Sequence, residues 1–286
     1  MNNILKITDL TKSYNNFTLD ALNLLVPYGT IMGLIGENGA GKTTTINLIL
    51  NSVEKDYGNI SVFGKDHIKH EKEIKQNIGV VFDECNLPGT FDITDIERFL
   101  SKMYTSWSHQ KYLGYIERFE LPDKQIIKNF SKGMRVKLNF AVALSHDPQL
   151  LILDEATSGL DPVMRDDMLD VLLDFVQDEK KSVLFSSHIT TDLEKIADYV
   201  SFLHKGKLLF CAKKDDLIYN YGLIHSKTVD FEKIDKSDIL AYRKLDCEWR
   251  VLVNNREAAA KKYKNYIVDP TTIEDIMFMF IRGEQK

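Results

Sequence analysis

The eight residues GENGAGKT, Gly36 to Thr43, restrict this 286-residue chain more than any other stretch. They satisfy the pattern G-x-x-x-x-G-K-[S/T], which works only between a buried strand and a helix. Both flanks are present: the apolar IMGLI, Ile31 to Ile35, precedes the loop, and TTTINLILN from Thr43 reads as the helix. The glycines let backbone N–H groups turn inward around phosphate oxygens, where side chains would block the approach. Lys42 is placed to reach the β and γ phosphates of a nucleotide and the Thr43 hydroxyl to ligate Mg²⁺, while the helix contributes its positive end. Gly36, Glu37, Asn38, Gly39, Ala40, Gly41, Lys42, Thr43 and Thr44 are the candidate nucleotide-binding residues. A structural glycine turn with a chance lysine does not explain strand, loop and helix together. The loop alone separates neither ATP from GTP nor a hydrolase from a kinase.

The stretch LLILDEATSGLDP, Leu150 to Pro162, supplies a second half of the chemistry. Asp154 ends an apolar strand and is placed to hold Mg²⁺ through a water. Glu155 beside it is a candidate general base for the water that attacks the γ phosphate, a role worth about 10²- to 10⁴-fold in rate. A strand-end helix cap would need only one acid. His188 ends the next apolar strand, SVLFSSH, so it reaches the same sheet edge and is a candidate γ-phosphate contact. A glycine-containing turn, SKG, opens the helix MRVKLNFAVAL and presents free N–H groups to an anion, although an ordinary helix start reads the same way. Asp161 and Pro162 make a good N-cap and N1 pair.

Along the chain, ILKITDLTKSY and FTLDALNLLVP predict an antiparallel β layer ahead of the loop. From Leu87 to Pro148 the apolar spacing is three to four, which predicts a helical lobe inserted into the core. Strand and helix then alternate to a hairpin turning at Lys205 and Gly206, so the fold class is α/β with a mostly parallel sheet. We expect a nucleotide-binding domain over residues 1–212 and a small α+β accessory extension over 213–286. In the extension, Thr271 and Glu274 fit a capping box, and Ile273, Ile276, Met277 and Phe280 form a stripe expected to pack on the extension's own strands.

The net charge of −5 argues against a surface built for nucleic acid. Cys85, Cys211 and Cys247 read as reduced thiols in no disulfide framework. No secretory signal or membrane span is legible, which predicts a cytoplasmic protein. His67 and His70 lie among lysines and glutamates, lack a third metal ligand and are expected at the surface, and His146 in HDP is no stronger a metal signal. Lys261, Lys262 and Lys264 read as a solvated helix face.

In this order and spacing, from about Ile4 to Cys211, the motifs resemble the ATP-binding subunits of ABC transporters. FSKGMR, Phe130 to Arg135, looks like the family's signature segment, with Ser131 and Gly133 at its diagnostic positions. SGLD, Ser158 to Asp161, matches the loop that crosses to a partner subunit; His188 matches the switch histidine, and Tyr14 the aromatic that stacks on adenine. The resemblance implies a P-loop NTPase cassette that binds ATP with Mg²⁺. It implies a second ATPase subunit, identical or related, whose signature segment closes on the nucleotide, and a separate integral membrane permease that places the chain on the inner face of the membrane. The detail of VVFDECNLPG and PTTIEDIMFMFIRGE suggests the bacterial exporter-like branch, with its drug and peptide-antibiotic resistance systems. One feature departs: the family's usual glutamine is Asp83, which can ligate Mg²⁺ but cannot donate hydrogen bonds as an amide does. A soluble ABC ATPase acting on DNA or the ribosome is the rival, disfavoured by the short helical lobe and the single set of motifs.

Overall fold

The computed structural model describes residues 2–227, 230–245 and 248–285, so Cys247 lies outside the described residues. The chain opens with β1 (Asn3–Tyr14) and β2 (Phe17–Pro27), a hairpin in which Tyr14 pairs with Phe17 across the turn. Next come β3 (Ile31–Ile35) and α1 (Lys42–Ile49). Then β4 (Tyr57–Val62) and β5 (Lys65–Asp66) complete an antiparallel sheet of order β2-β1-β4-β5. After α2 (Glu71–Gln76) and β6 (Ile78–Phe82), the helical segment contains α3 (Ile93–Leu100), α4 (His109–Arg118) and α5 (Lys132–Ser145).

The core resumes with β7 (Leu150–Asp154), α6 (Pro162–Phe175), β8 (Ser182–Ser187) and α7 (Thr190–Ile196), followed by the hairpin β9 (Tyr199–His204) and β10 (Lys207–Lys213). Its turn residues, Lys205 (φ 45°) and Gly206 (φ 80°), are both left-handed, as the twist of a tight hairpin requires. The six-stranded sheet has order β10-β9-β3-β8-β7-β6 and is parallel except for β10. Its central strands are apolar runs buried on both faces. Met32, Leu34, Leu150 and Ile152 face the antiparallel layer and α1, whereas Ile31, Ile35, Leu151 and Leu153 face the helices on the other side. Register decides where chemistry gathers: Ile35 pairs with Ser187, Ser186 with Asp154, and Asp154 with Phe82. The loops leaving β3, β8, β7 and β6 therefore emerge side by side.

The remaining residues form α8 (Lys214–Asn220), β11 (Gly222–Lys227), β12 (Ile239–Leu245), β13 (Glu248–Val253), α9 (Arg256–Lys262), β14 (Ile267–Pro270), α10 (Ile273–Arg282) and β15 (Glu284–Gln285). Their strands make a separate antiparallel sheet of order β14-β11-β13-β12-β15.

Three expectations change. The capping box of α10 is Thr272 with Asp275, one residue later than Thr271 with Glu274, because the buried Thr271 hydroxyl is spent on the Leu217 and Tyr221 carbonyls that end α8. The α10 stripe is Ile273, Ile276 and Met279, with Met277 and Phe280 half-buried; it packs on β12 but also on α7 and α8, so it belongs to the same core as Leu193 and Ile196. His67 is not at the surface: pairing of β5 with β4 folds it inward to 3% exposure, where its Nδ1–H donates to the Ile60 carbonyl at 3.2 Å. His70 is exposed, as expected.

Candidate nucleotide site

The phosphate loop is shaped by contacts only glycine allows. A Cβ on Gly36 would stand 2.4 Å from the Leu203 carbonyl oxygen, and Gly39 and Gly41 hold φ values of 79° and 112°. The loop is pinned from below, since the Ala40 N–H donates to the Glu37 carbonyl and the Ala40 carbonyl accepts from Gly206. Ala40 is buried, while Glu37, Asn38 and Gly39 face solvent. Lys42 opens α1 and is only 5% exposed. Its ammonium donates to the Gly36 and Glu37 carbonyls at 2.8 and 3.3 Å. It also lies 3.1 Å from Glu155 Oε1, as an ion pair rather than an aligned hydrogen bond. Thr43 and Thr44 follow on the first turn, and both line the cleft above the loop.

Asp154 ends β7 at 6% exposure, with one carboxylate oxygen taking the Ser186 hydroxyl at 3.0 Å. Glu155 adopts the left-handed region (φ 54°), a conformation that costs a non-glycine residue about 1 kcal/mol or more. Its N–H donates to the Ser186 carbonyl at 3.0 Å, so the neighbouring strand holds the turn. The bend aims the side chain back over the sheet edge, where Oε1 meets Lys42 and Oε2 meets both the His188 ring Nδ1 and the His188 backbone N–H, the latter at 3.3 Å. Glu155 thus sits between a lysine from the β3 loop and a histidine from the β8 loop. The cleft over them is about 470 Å³ and is closed on one side by Asn16 and Phe17 at the first hairpin.

The signature-like helix α5 starts at Ser131, whose hydroxyl caps the Met134 N–H at 3.2 Å, and a Cβ on Gly133 would meet the end of Met164 on α6 at 2.4 Å. Asp161 caps α6 through the Met164 N–H at 3.0 Å, with Pro162 at the first helical position. None of Ser131, Gly133 and Asp161 hydrogen-bonds to the phosphate loop, and none lines its cleft.

Residues 19–158 match the family model described as ABC transporter. The chain is 37% identical to a bacitracin transport ATP-binding protein of Bacillus licheniformis, over 73% of this chain and 69% of that protein. It is 32% identical to a lantibiotic transport ATP-binding protein of Streptococcus pyogenes, over 80% of this chain and 99% of that one. A solved structure of an ATP binding subunit of an ABC transporter superposes with a TM-score of 0.67 at 26% identity, covering 75% of this chain and 91% of the other. The chain belongs to the ABC transporter ATP-binding family. It is an ATP-binding ATPase subunit of a transporter, and its α/β cassette is that of a P-loop NTPase.

Two features of this ABC ATPase subunit were not legible in its motifs. Phe17, not Tyr14, forms the aromatic wall of the cleft; Tyr14 stands across the hairpin turn, 45% exposed, with its ring 6.4 Å from that of Phe17. The available signal was the Asn15-Asn16 turn, which brings an aromatic from each strand to the hairpin tip. Asp83, at the usual glutamine position, lies 3.1 Å from Lys132 Nζ and lines a different cavity, of about 580 Å³, with Glu84, Cys85, Phe130 and Arg135. Burial pushes the Cys85 thiol pKa up, which disfavours the reactive thiolate. Among the described residues no cluster of three or more His, Cys, Asp or Glu side chains is set to hold a metal, and no helix is long and apolar enough to cross a membrane.

Proposed function

We propose that the chain drives export of a peptide antibiotic or similar drug by hydrolysing ATP with Mg²⁺, as one of two ATPase subunits, identical or related, beneath a separate membrane permease. The observation that carries the hydrolytic part is Glu155, held between Lys42 and His188 at the mouth of the phosphate loop. The ammonium of Lys42 donates to two carbonyls and is balanced by the Glu155 carboxylate; arriving β and γ phosphates offer it stronger acceptors and free Glu155 from the pair. Glu155 then accepts a proton from the attacking water, while the His188 ring keeps the carboxylate over the loop and contacts the γ phosphate. The loop's N–H groups, with Gly36 to Thr44 around them, bind the triphosphate, and Phe17 or Tyr14 stacks on adenine.

The donor set suits Mg²⁺: the Thr43 hydroxyl is open to solvent, and Asp154 is a buried carboxylate with only one oxygen committed to Ser186. Held by Thr43 and Asp154, Mg²⁺ would neutralise phosphate charge. Asp83 pairs with Lys132 in this conformation, so any service to the metal requires it to leave that lysine.

Ser131, Gly133 and Asp161 stand outside the cleft, an arrangement that suits residues meant for the nucleotide of a second subunit. The permease would dock beside Asp83 and the helical segment, which puts the chain on the cytoplasmic side of the membrane. The named relatives transport bacitracin or a lantibiotic, and a third, 33% identical, serves linearmycin resistance in Bacillus subtilis; this favours the antibiotic-export reading over action on DNA or ribosomes. The test is light scattering of the Glu155→Gln chain with ATP and Mg²⁺, followed by capture of the wild-type chain with any multi-helix membrane protein that a neighbouring gene encodes. A dimer that needs ATP, and a stable complex with such a membrane protein, are expected. A chain that stays monomeric under every nucleotide and binds no membrane protein contradicts the proposal.

A further inference from the structure

Among the described residues, the extension beyond Lys213 packs on α7, which begins two residues after His188. On its inner side α7 is tied to the loop that follows Glu155: the Thr157 hydroxyl donates to Asp192 Oδ2 at 2.9 Å, with Arg165 4.0 Å from the other oxygen. On its outer side the Glu194 carboxylate accepts the Ile273 N–H at 2.7 Å. Ile273 is the first residue of α10, and Leu193, Ile196 and Ala197 share a core with Ile273, Ile276 and Met279.

The Glu194 contact is more than a seam of apolar side chains. The capping box of α10 already occupies the Thr272 and Asp275 N–H groups, and Glu194 takes the Ile273 N–H that the box leaves free. A carboxylate there also faces the positive end of the helix. The other end of α7 is different: a cavity of about 400 Å³ separates His188 to Thr191 from Met277, Phe278 and Ile281 of α10. Glu194 fastens the helix near its last turn and the Asp192–Thr157 bond ties its first turn to the loop after Glu155, while the side of His188 to Thr191 that faces α10 is open to the cavity.

We propose that the C-terminal extension positions His188, with Glu194 as the fastening residue and α10 as the surface on which α7 pivots. This rests on the reading that His188 serves ATP hydrolysis. Glu194 touches neither nucleotide nor Glu155 and acts only through where α7 starts. When His188 follows the γ phosphate, α7 turns toward the cavity about the Glu194–Ile273 bond and carries the Thr157 loop with it through Asp192. The extension thereby sets how readily His188 shifts from its contact with Glu155 alone to one that also reaches the γ phosphate.

The test uses the full chain with histidine rings isotopically labelled, read by NMR without nucleotide, alongside steady-state ATP hydrolysis. Glu194→Ala is expected to move the His188 ring signals and to lower kcat about fivefold or more, with the KM for ATP unchanged. Glu194→Gln retains an oxygen for the Ile273 N–H and is expected to restore both. In a His188→Ala background, Glu194→Ala should cost nothing further. Met277→Trp, which fills the cavity without touching the Glu194 bond, is expected to shift the His188 signals independently, so the outcome survives poor folding of the alanine variant. Unmoved His188 signals in a folded Glu194→Ala chain, or a kcat loss that adds in full to that of His188→Ala, would overturn the proposal. Absence of ATP hydrolysis in the wild-type chain with its permease would instead remove the hydrolytic reading, while the NMR result still decides whether the extension positions His188.

Discussion

Two acidic loops leave neighbouring strands of the parallel sheet in matched register, Phe82 beside Asp154, and meet lysines in opposite ways. After β7, Glu155 turns back over the sheet with its side chain 18% exposed and pairs with Lys42, which is nearly buried. After β6, Asp83 runs outward with its side chain 46% exposed and pairs with Lys132, itself 52% exposed at the start of α5. Burial makes the first pair strongly dependent on its partner, since removing either member leaves a charge without compensation. Solvent screens the second, and exposed pairs of this kind are worth about 0–1 kcal/mol. A lysine in the first turn of a helix also opposes the helix dipole, so Asp83 offsets a local cost and does not create a strong anchor. The rigid pair is where we propose the chemistry to occur, and the soft one is a contact that can be exchanged.

The largest expected effect comes from the rigid side. Lys42→Ala should lower kcat/KM for ATP by about 10³-fold, because a preorganised cation aimed at phosphate is lost from a nearly buried position. Isothermal titration and a phosphate-release assay would show this, and a change under tenfold would erase the contrast between the two pairs. Next is His188→Ala, which removes the second grip on Glu155. A fall in kcat of about 10²-fold with ATP affinity kept is expected from misplacing the base.

On the soft side, a double-mutant cycle of Asp83→Asn with Lys132→Gln, read by urea unfolding, should give a coupling of about 1 kcal/mol or less that fades in high salt. A coupling of several kcal/mol, insensitive to salt, would show Asp83 to be anchored after all. The smallest effect is one of pH. His146 at the end of α5 is buried, donates from Nε2 to the Ile78 carbonyl at 3.1 Å and stacks on Tyr104; burial depresses its pKa below the ordinary 6.5. The unfolded chain therefore takes up that proton first, so this group favours unfolding as pH falls below about 6.5 and is neutral above it. Thermal melts between pH 8 and pH 5 should fall less steeply in His146→Gln than in wild type.

How much of this was legible in the sequence follows the range of the interactions. The strand Ile31–Ile35, the phosphate loop, the Lys205–Gly206 hairpin and the acids after LLIL are local patterns of burial and turn chemistry, and each appears where the sequence places it. The order β9-β3-β8-β7-β6 was legible only as a parallel sheet, because register is set between distant strands. Adjacent threonines and acids, Thr271-Thr272 and Glu274-Asp275, made two registers of the same cap equally readable, and only the demands of α8 decide between them. The Asp83–Lys132 and Glu194–Ile273 contacts join segments far apart in the chain, and no spacing announces them. His67 looked solvated because its neighbours are charged, yet β5 turns that one side chain inward.

The central claim is that Glu155, gripped by Lys42 and His188, is the base for hydrolysis. Its most direct test is phosphate release by the Glu155→Gln chain beside a measurement of ATP binding to the same preparation. The amide keeps the shape and loses the proton acceptor, so ATP binding should persist while the rate falls by about 10²- to 10⁴-fold. A variant that binds ATP and hydrolyses it at the wild-type rate would contradict the account.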